Sequence, residues 1–373
     1  RELEAKDKLM SQLRDISDKD LAFEHLDDTK AGPSHWLDYE RPTKDAVFST
    51  DDLVQAFEAY AATGRMYSKS DPSSEKLANL RAELEKIASM LSAVKDQVDV
   101  RHWLDMEEAF VNFCEGRHEA ARAIYTKVIE EKPRDISSWA AYYRLGELLV
   151  HDRAIERALE RFDQCEAILE ADIDQQHIMF RERYFVNTKI AYVYWQLGLE
   201  YIDIAIEKIH LAENWFDKYV ATVSETDFLV DHRLRLVNNK CYYHIESWLA
   251  ARESGEGQLA FEQRVLSKKA CKQLGDLMEK HRGRASSNMY DTLAWFHFNL
   301  YLDGQLGEGK ALALNGSHYE ELVKARSLLD SSLKGNNQAV SPILSDVLRR
   351  RHAEAILLEH ARLVGAGVID ENP

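Results

Sequence analysis

From position 142 the chain carries two stripes of apolar residues at helical spacing with a short polar break between them. Tyr142, Leu145 and Leu149 share one stripe with Gly146 beside them, and Ala158, Phe162, Cys165 and Leu169 form the second. The pattern predicts a helix, a tight turn and a second helix whose small and large positions interlock. Upstream, Glu115 to Pro133 repeats the second half of this unit, with Gly116 at the turn, Ala121 and Tyr125 at the packing positions, and Pro133 stopping the helix. Its first helix is expected over roughly Arg101 to Cys114.

Downstream, Ile190, Ala191, Tyr194 and Gly198 mark a further first helix, and Ala205, Ile209 and Ala212 its second. The segment Val186-Asn-Thr-Lys-Ile-Ala-Tyr192 recurs 51 residues later as Val237-Asn-Asn-Lys-Cys-Tyr-Tyr243. Helical spacing continues over Phe261–Lys280, Met289–Leu302, Tyr319–Leu333 and Ile343–Val364. The expected turns between them include Ser254-Gly-Glu-Gly257 and Gly304-Gln-Leu-Gly-Glu-Gly309. Ahead of the repeats, Leu77, Leu80, Leu84, Ile87, Leu91, Val94 and Val98 alternate steps of three and four. This predicts one long amphipathic helix over 71–100, serving as a cap on the first repeat or pairing with a second copy. Residues 1–70 are less regular: a charged helix near Glu2 to Ile16, an aromatic loop with Trp36, Tyr39 and Phe48, and a short helix from Asp51 to Thr63.

The spacing of Tyr142, Leu145, Gly146, Leu149, Ala158, Phe162 and Cys165 resembles the tetratricopeptide repeat, and the resemblance extends well over 101–212 and by rhythm alone to 364. It implies an all-α, right-handed solenoid of helix-turn-helix hairpins over 101–364, with 365–373 as a tail. It places Gly146 where the two helices approach most closely. The 51-residue displacement exceeds the ~34-residue period of that family, so the later hairpins are expected to have longer helices or loops.

Composition narrows the function. With 373 residues, 45% hydrophobic, the chain can bury ample core. No apolar run is long enough to cross a membrane and the charged start is no secretory signal, so the expectation is a cytoplasmic protein with no membrane role. A net charge of -16 argues against general nucleic-acid binding and for a partner of basic character, despite Arg349-Arg-Arg351. Cys114, Cys165, Cys241 and Cys271 are scattered within helices and read as buried free thiols of a reducing compartment. The sequence begins at Arg1, which leaves room for a longer protein with an effector domain.

No phosphate loop, dinucleotide fingerprint, zinc-protease helix or nucleophile elbow is present. Cys241 and His244 stand three apart on a helix without a second pair to complete a zinc site. Arg144 and His151 have a spacing similar to that of helical HEPN ribonucleases, but Leu145 departs from that pattern and the repeat already explains both. No cofactor and no metal are expected.

The resemblance implies that first helices line a concave groove. It makes Tyr143 and Glu147, then Thr188, Tyr192 and Trp195, groove-facing, and lets Asn187 and Asn238 pair with an extended peptide while Lys189 and Lys240 meet carboxylates. The competing reading leaves Asn and Lys on a solvated helix face. The expected function is a non-enzymatic module that binds a protein or peptide and scaffolds or regulates an effector. The alternative is the sensor arm of an enzyme assembly, such as a caspase-like protease, nuclease or transcription regulator, whose catalytic part lies elsewhere. The oligomeric state is not encoded in these features.

Overall fold

The computed structural model describes residues 74–93, 98–131, 138–171, 179–223, 227–307, 317–334 and 344–366. The expected helices near Glu2 and Asp51 and the aromatic loop lie outside them. The chain divides into two compact units, Arg1–Ile173 and Asp174–Pro373. Every regular element among the described residues is helical.

The first unit contains α1 (Ser74–Met90), α2 (Val98–Cys114), α3 (His118–Glu131), α4 (Trp139–His151) and α5 (Ile155–Ala171). The seam from Leu77 is not one continuous helix: α1 closes in a 3-10 turn, Leu91–Ala93, and Val98 opens α2. Leu80, Leu84, Ile87 and Leu91 are buried, as the seam requires. Arg81 fixes α1 to the end of α2 by donating to Glu115 and to Asn112 Oδ1 at 3.2 Å.

Helices α2 with α3 and α4 with α5 form two hairpins joined by the same turn. Arg117 N–H donates to Asn112 O at 2.8 Å and Gly116 N–H to Phe113 O at 3.0 Å, while Ala154 N–H donates to Leu149 O at 2.8 Å and Arg153 N–H to Val150 O at 3.0 Å. This is the Schellman arrangement, which needs a left-handed residue after the helix. Gly116 supplies it at φ 75°, and Arg153 adopts it at φ 60° with a side chain. Inside the second hairpin Ala158, Phe162, Cys165 and Leu169 are buried on one stripe of α5. Helix α4 is different: every residue from Ala141 to Leu149 is buried, because it packs against both α3 and α5.

The second unit contains α6 (Phe180–Leu197), α7 (Ile202–Val220), α8 (Asp227–Glu253), α9 (Gly257–Lys280), α10 (Ser287–Gly307), α11 (Ser317–Lys334) and α12 (Leu344–Gly365). α6–α7, α8–α9 and α10–α11 pair as hairpins. At 27 and 24 residues, α8 and α9 carry the extra length that the 51-residue displacement called for. α10 runs on through Gly304 to Gly307, where a turn was expected. The α8–α9 turn repeats the Schellman pattern, with Glu256 N–H donating to Ala251 O at 2.9 Å and Gly255 at φ 78°.

Two apolar clusters hold this unit. Val237, Cys241, Ile245 and Trp248 of α8 meet Cys271, Leu274 and Met278 of α9 and Phe296 of α10. Phe298 and Tyr301 of α10 meet Leu322 and Leu329 of α11 and Ile356 of α12. Burying such side chains stabilises by about 1.5 to 3 kcal/mol each before entropy is counted. Cys241 and Cys271 form a disulfide with Cα atoms 5.5 Å apart, which corrects the expectation of four free thiols. The hairpin brings two cysteines thirty positions apart to facing places on adjacent helices, something spacing alone does not reveal. Cys114 and Cys165 are buried and not disulfide-bonded.

Candidate partner-binding surface

Three first helices of the second unit carry large aromatic residues at half-buried positions: Tyr192 and Trp195 on α6, Tyr242 on α8 and Trp295 on α10. Their rings form a connected row. Tyr192 and Trp195 lie 5.7 Å apart, and Trp195 meets Tyr242 edge-on at 5.6 Å. Tyr242 lies 6.4 Å from the imidazole of His352 on α12, which stacks on Trp295 at 4.1 Å. His352 is held by Asp291 Oδ2, 2.9 Å from its Nδ1, and both groups are buried. These separations suit stacked and edge-to-face rings.

One carboxylate belongs to this row. Burial pushes the Glu246 carboxyl above its usual range, against the opposing pull of His352 and of the neighbouring Tyr242 hydroxyl. Burial likewise raises the Tyr192 and Tyr242 hydroxyls, so both stay neutral donors at ordinary pH. Aromatic faces beside a desolvated carboxylate suit a cationic side chain, which gains both a cation–π contact and an ion pair.

The other expected contact residues lie elsewhere. Tyr143 is almost fully buried, its ring 6.1 Å from Trp139 and 5.7 Å from Phe162. Glu147 is buried with Arg144, whose Nη1 stands 3.5 Å from Oε2, and the Arg144 guanidinium covers the Phe110 ring at 5.1 Å. Thr188 is half-buried and its hydroxyl donates to Tyr184 O at 2.8 Å. Asn187 is buried and donates to Arg183 O at 3.0 Å within its own helix. Its Oδ1, like the Oδ1 of Asn238, has no hydrogen-bond partner among the described residues.

Lys240 points to the second helices: its Nζ donates to Glu213 Oε1 at 2.6 Å on α7 and to Gln273 Oε1 at 3.1 Å on α9. Although burial opposes ionisation of Glu213, hydrogen bonds from His210 and Lys240 hold its carboxyl down to about 2. The Lys240 charge is therefore neutralised within the chain. The aromatic run Trp295-Phe-His-Phe298 is visible in the sequence as a source of such anchors. Glu246 was not singled out, and nothing local to it signals its place beside the row.

No family model and no curated protein matches the chain. Among solved structures, one similar chain is a tetratricopeptide repeat protein from Parabacteroides merdae ATCC 43184, at 12% identity and a TM-score of 0.36, covering 82% of this chain and 98% of that one. Another is in the APC/C hetero-tetramer Cut9–Hcn1, at 14% identity and a TM-score of 0.27, covering 82% of this chain and 56% of that one. Among the described residues, its paired helices, repeated Schellman turns and glycine-to-phenylalanine helix contact make this an all-α protein built of helix-turn-helix hairpins.

Proposed function

We propose that this protein is a non-enzymatic interaction module that binds a basic protein segment along the aromatic row of its second unit, and so scaffolds or regulates an effector. The observation that carries the reading is the joining of half-buried Tyr192, Trp195 and Tyr242 to the desolvated Glu246. Large rings that keep part of their surface in water are the residue type that dominates binding energy when covered. The acidic balance of the chain favours approach of a cation, chiefly through association rate.

In this reading Thr188, Tyr192 and Trp195 touch the partner directly, whereas the side-chain oxygens of Asn187 and Asn238 are enclosed by their own helices and stay out of the contact. Tyr143, Glu147 and Lys240 shape the helices from within. No described helix is long and apolar enough to cross a membrane. The cytoplasmic setting belongs to the same proposal, with the Cys241–Cys271 bond shielded from thiol reductants by the hairpin that encloses it.

The test is affinity purification from the native host, identification of the bound protein, and calorimetric titration of that protein against variants. Trp195→Ala and Glu246→Gln should each weaken binding by roughly 10- to 100-fold, or about 1.4 to 2.8 kcal/mol, with folding retained. Equal affinities for wild type and both variants would refute the row as the contact surface.

A further inference from the structure

In the first unit, two imidazoles and a carboxylate converge where consecutive hairpins meet. His118 is the first residue of α3, His151 the last of α4, and Asp152 follows it at the turn. Asp152 Oδ1 lies 3.4 Å from His118 Nδ1 and 3.5 Å from His151 Nδ1. One ligand atom from each of the three residues falls within 4.8 Å of the other two. The two imidazole rings stand nearly perpendicular with centroids 4.5 Å apart. We propose that His118, His151 and Asp152 form a binding site for a divalent transition metal of the zinc class.

The chemistry follows from the donor set. Neutral imidazole and carboxylate bind zinc at about 2.0 to 2.2 Å, which places ligands sharing one tetrahedral ion roughly 3.3 to 3.5 Å apart. The two distances to Asp152 Oδ1 already match, and the two imidazoles present ligand nitrogens within 4.8 Å of each other. Two nitrogens with one oxygen select zinc, nickel or cobalt over magnesium and calcium, which prefer all-oxygen sites. Three protein ligands leave a fourth position for water.

The surroundings support the three ligands. Arg122 Nη2 takes the other oxygen, Asp152 Oδ2, and its Nη1 contacts Glu119 Oε1 at 3.0 Å. The guanidinium thereby turns Oδ1 toward the imidazoles, an outer-sphere contact that fixes ligand orientation, and its positive charge opposes the ion. Phe113 walls the site, stacked on His118 at 5.4 Å and edge-on to His151 at 6.0 Å. The His151 side chain is 57% exposed, so an ion has an open path.

A bound ion would staple the end of α4 to the start of α3, reinforcing the Arg122–Asp152 ion pair that already links the two hairpins. The site lies in the first unit and is independent of the partner surface. The test is calorimetric titration of the full chain with zinc chloride after chelator treatment, alongside thermal melts. One zinc per chain should bind at micromolar affinity or better and raise the melting temperature. His151→Ala should weaken binding at least 10-fold and abolish the thermal shift, and His118→Ala should do the same. His281→Ala, remote in sequence and in the other unit, serves as a control and should bind as wild type. Cobalt should give a visible d–d absorption band that both ligand variants lose. Absence of zinc binding in the wild type, or unchanged affinity in folded His151→Ala, would overturn the proposal; because His151 is exposed, that variant keeps the fold.

Discussion

A Cβ built on Gly146 would stand 2.8 Å from Cε1 and Cζ of Phe162, closer than a carbon tolerates. The glycine lets α4 and α5 approach, and the ring fills the space that approach leaves. Phe162→Ala should cost roughly 3 to 5 kcal/mol as a core truncation. Gly146→Ala should cost roughly 1 to 3 kcal/mol by overpacking, and Phe162→Leu should recover part of that loss when combined with it. Urea denaturation of the wild type, Gly146→Ala, Phe162→Leu and the double variant checks the coupling, and strict additivity would contradict a direct contact.

Arg153 holds the left-handed position that Gly116 and Gly255 hold in the other Schellman turns. A side chain there strains the backbone, and Arg153 is exposed, so little packing is at stake. Arg153→Gly should therefore stabilise by about 0.5 to 1 kcal/mol, while Gly116→Ala and Gly255→Ala should destabilise by about 1 kcal/mol. Melting temperatures of the three variants decide the sign.

The Cys241–Cys271 bond closes a hairpin and is buried with its cluster. Replacing both cysteines by serine should cost about 2 to 4 kcal/mol, partly through the unfolded chain. Thiol titration in denaturant without reductant should count two free groups, from Cys114 and Cys165. A count of four would contradict the bond.

Glu213 has a folded pKa of about 2, below its ordinary value of 4.5. A depressed carboxyl contributes stability above the unfolded pKa, and that contribution fades as pH falls from about 4.5 through 2. In Glu213→Gln the acid sensitivity of stability over that window should be smaller by about 1 kcal/mol once solvent screening of the partly exposed pair is counted, and the variant should be less stable at pH 7. Parallel pH titrations of unfolding free energy provide the comparison.

The second helices were legible in the sequence because each has one buried stripe. Ala158, Phe162, Cys165 and Leu169 read directly as an inward face, and the structure buries all four. The first helices were not, because α4 is covered on nearly every side and periodicity no longer separates inside from outside. That is why Tyr143 and Glu147 read as groove positions yet are enclosed. Lys240 was expected to face a partner, but pairing with Glu213 spans two helices 27 residues apart and leaves no local signature. The aromatic row was half visible, as clusters of Tyr and Trp, while its connection through His352 arises only from the packing of α12.

The half-buried row of Tyr192, Trp195 and Tyr242 competes as a contact surface with an exposed apolar patch on α9. Phe261 and Val265 stand one turn apart on α9, 63% and 52% exposed. Side by side, the two surfaces can be separated by introducing benzoylphenylalanine in place of Tyr192 or of Phe261 in the full chain and irradiating it with the purified partner. Cross-linking from position 192, suppressed by excess unlabelled protein, with little from 261, is the outcome expected. Efficient cross-linking from 261 and none from 192 would contradict the account.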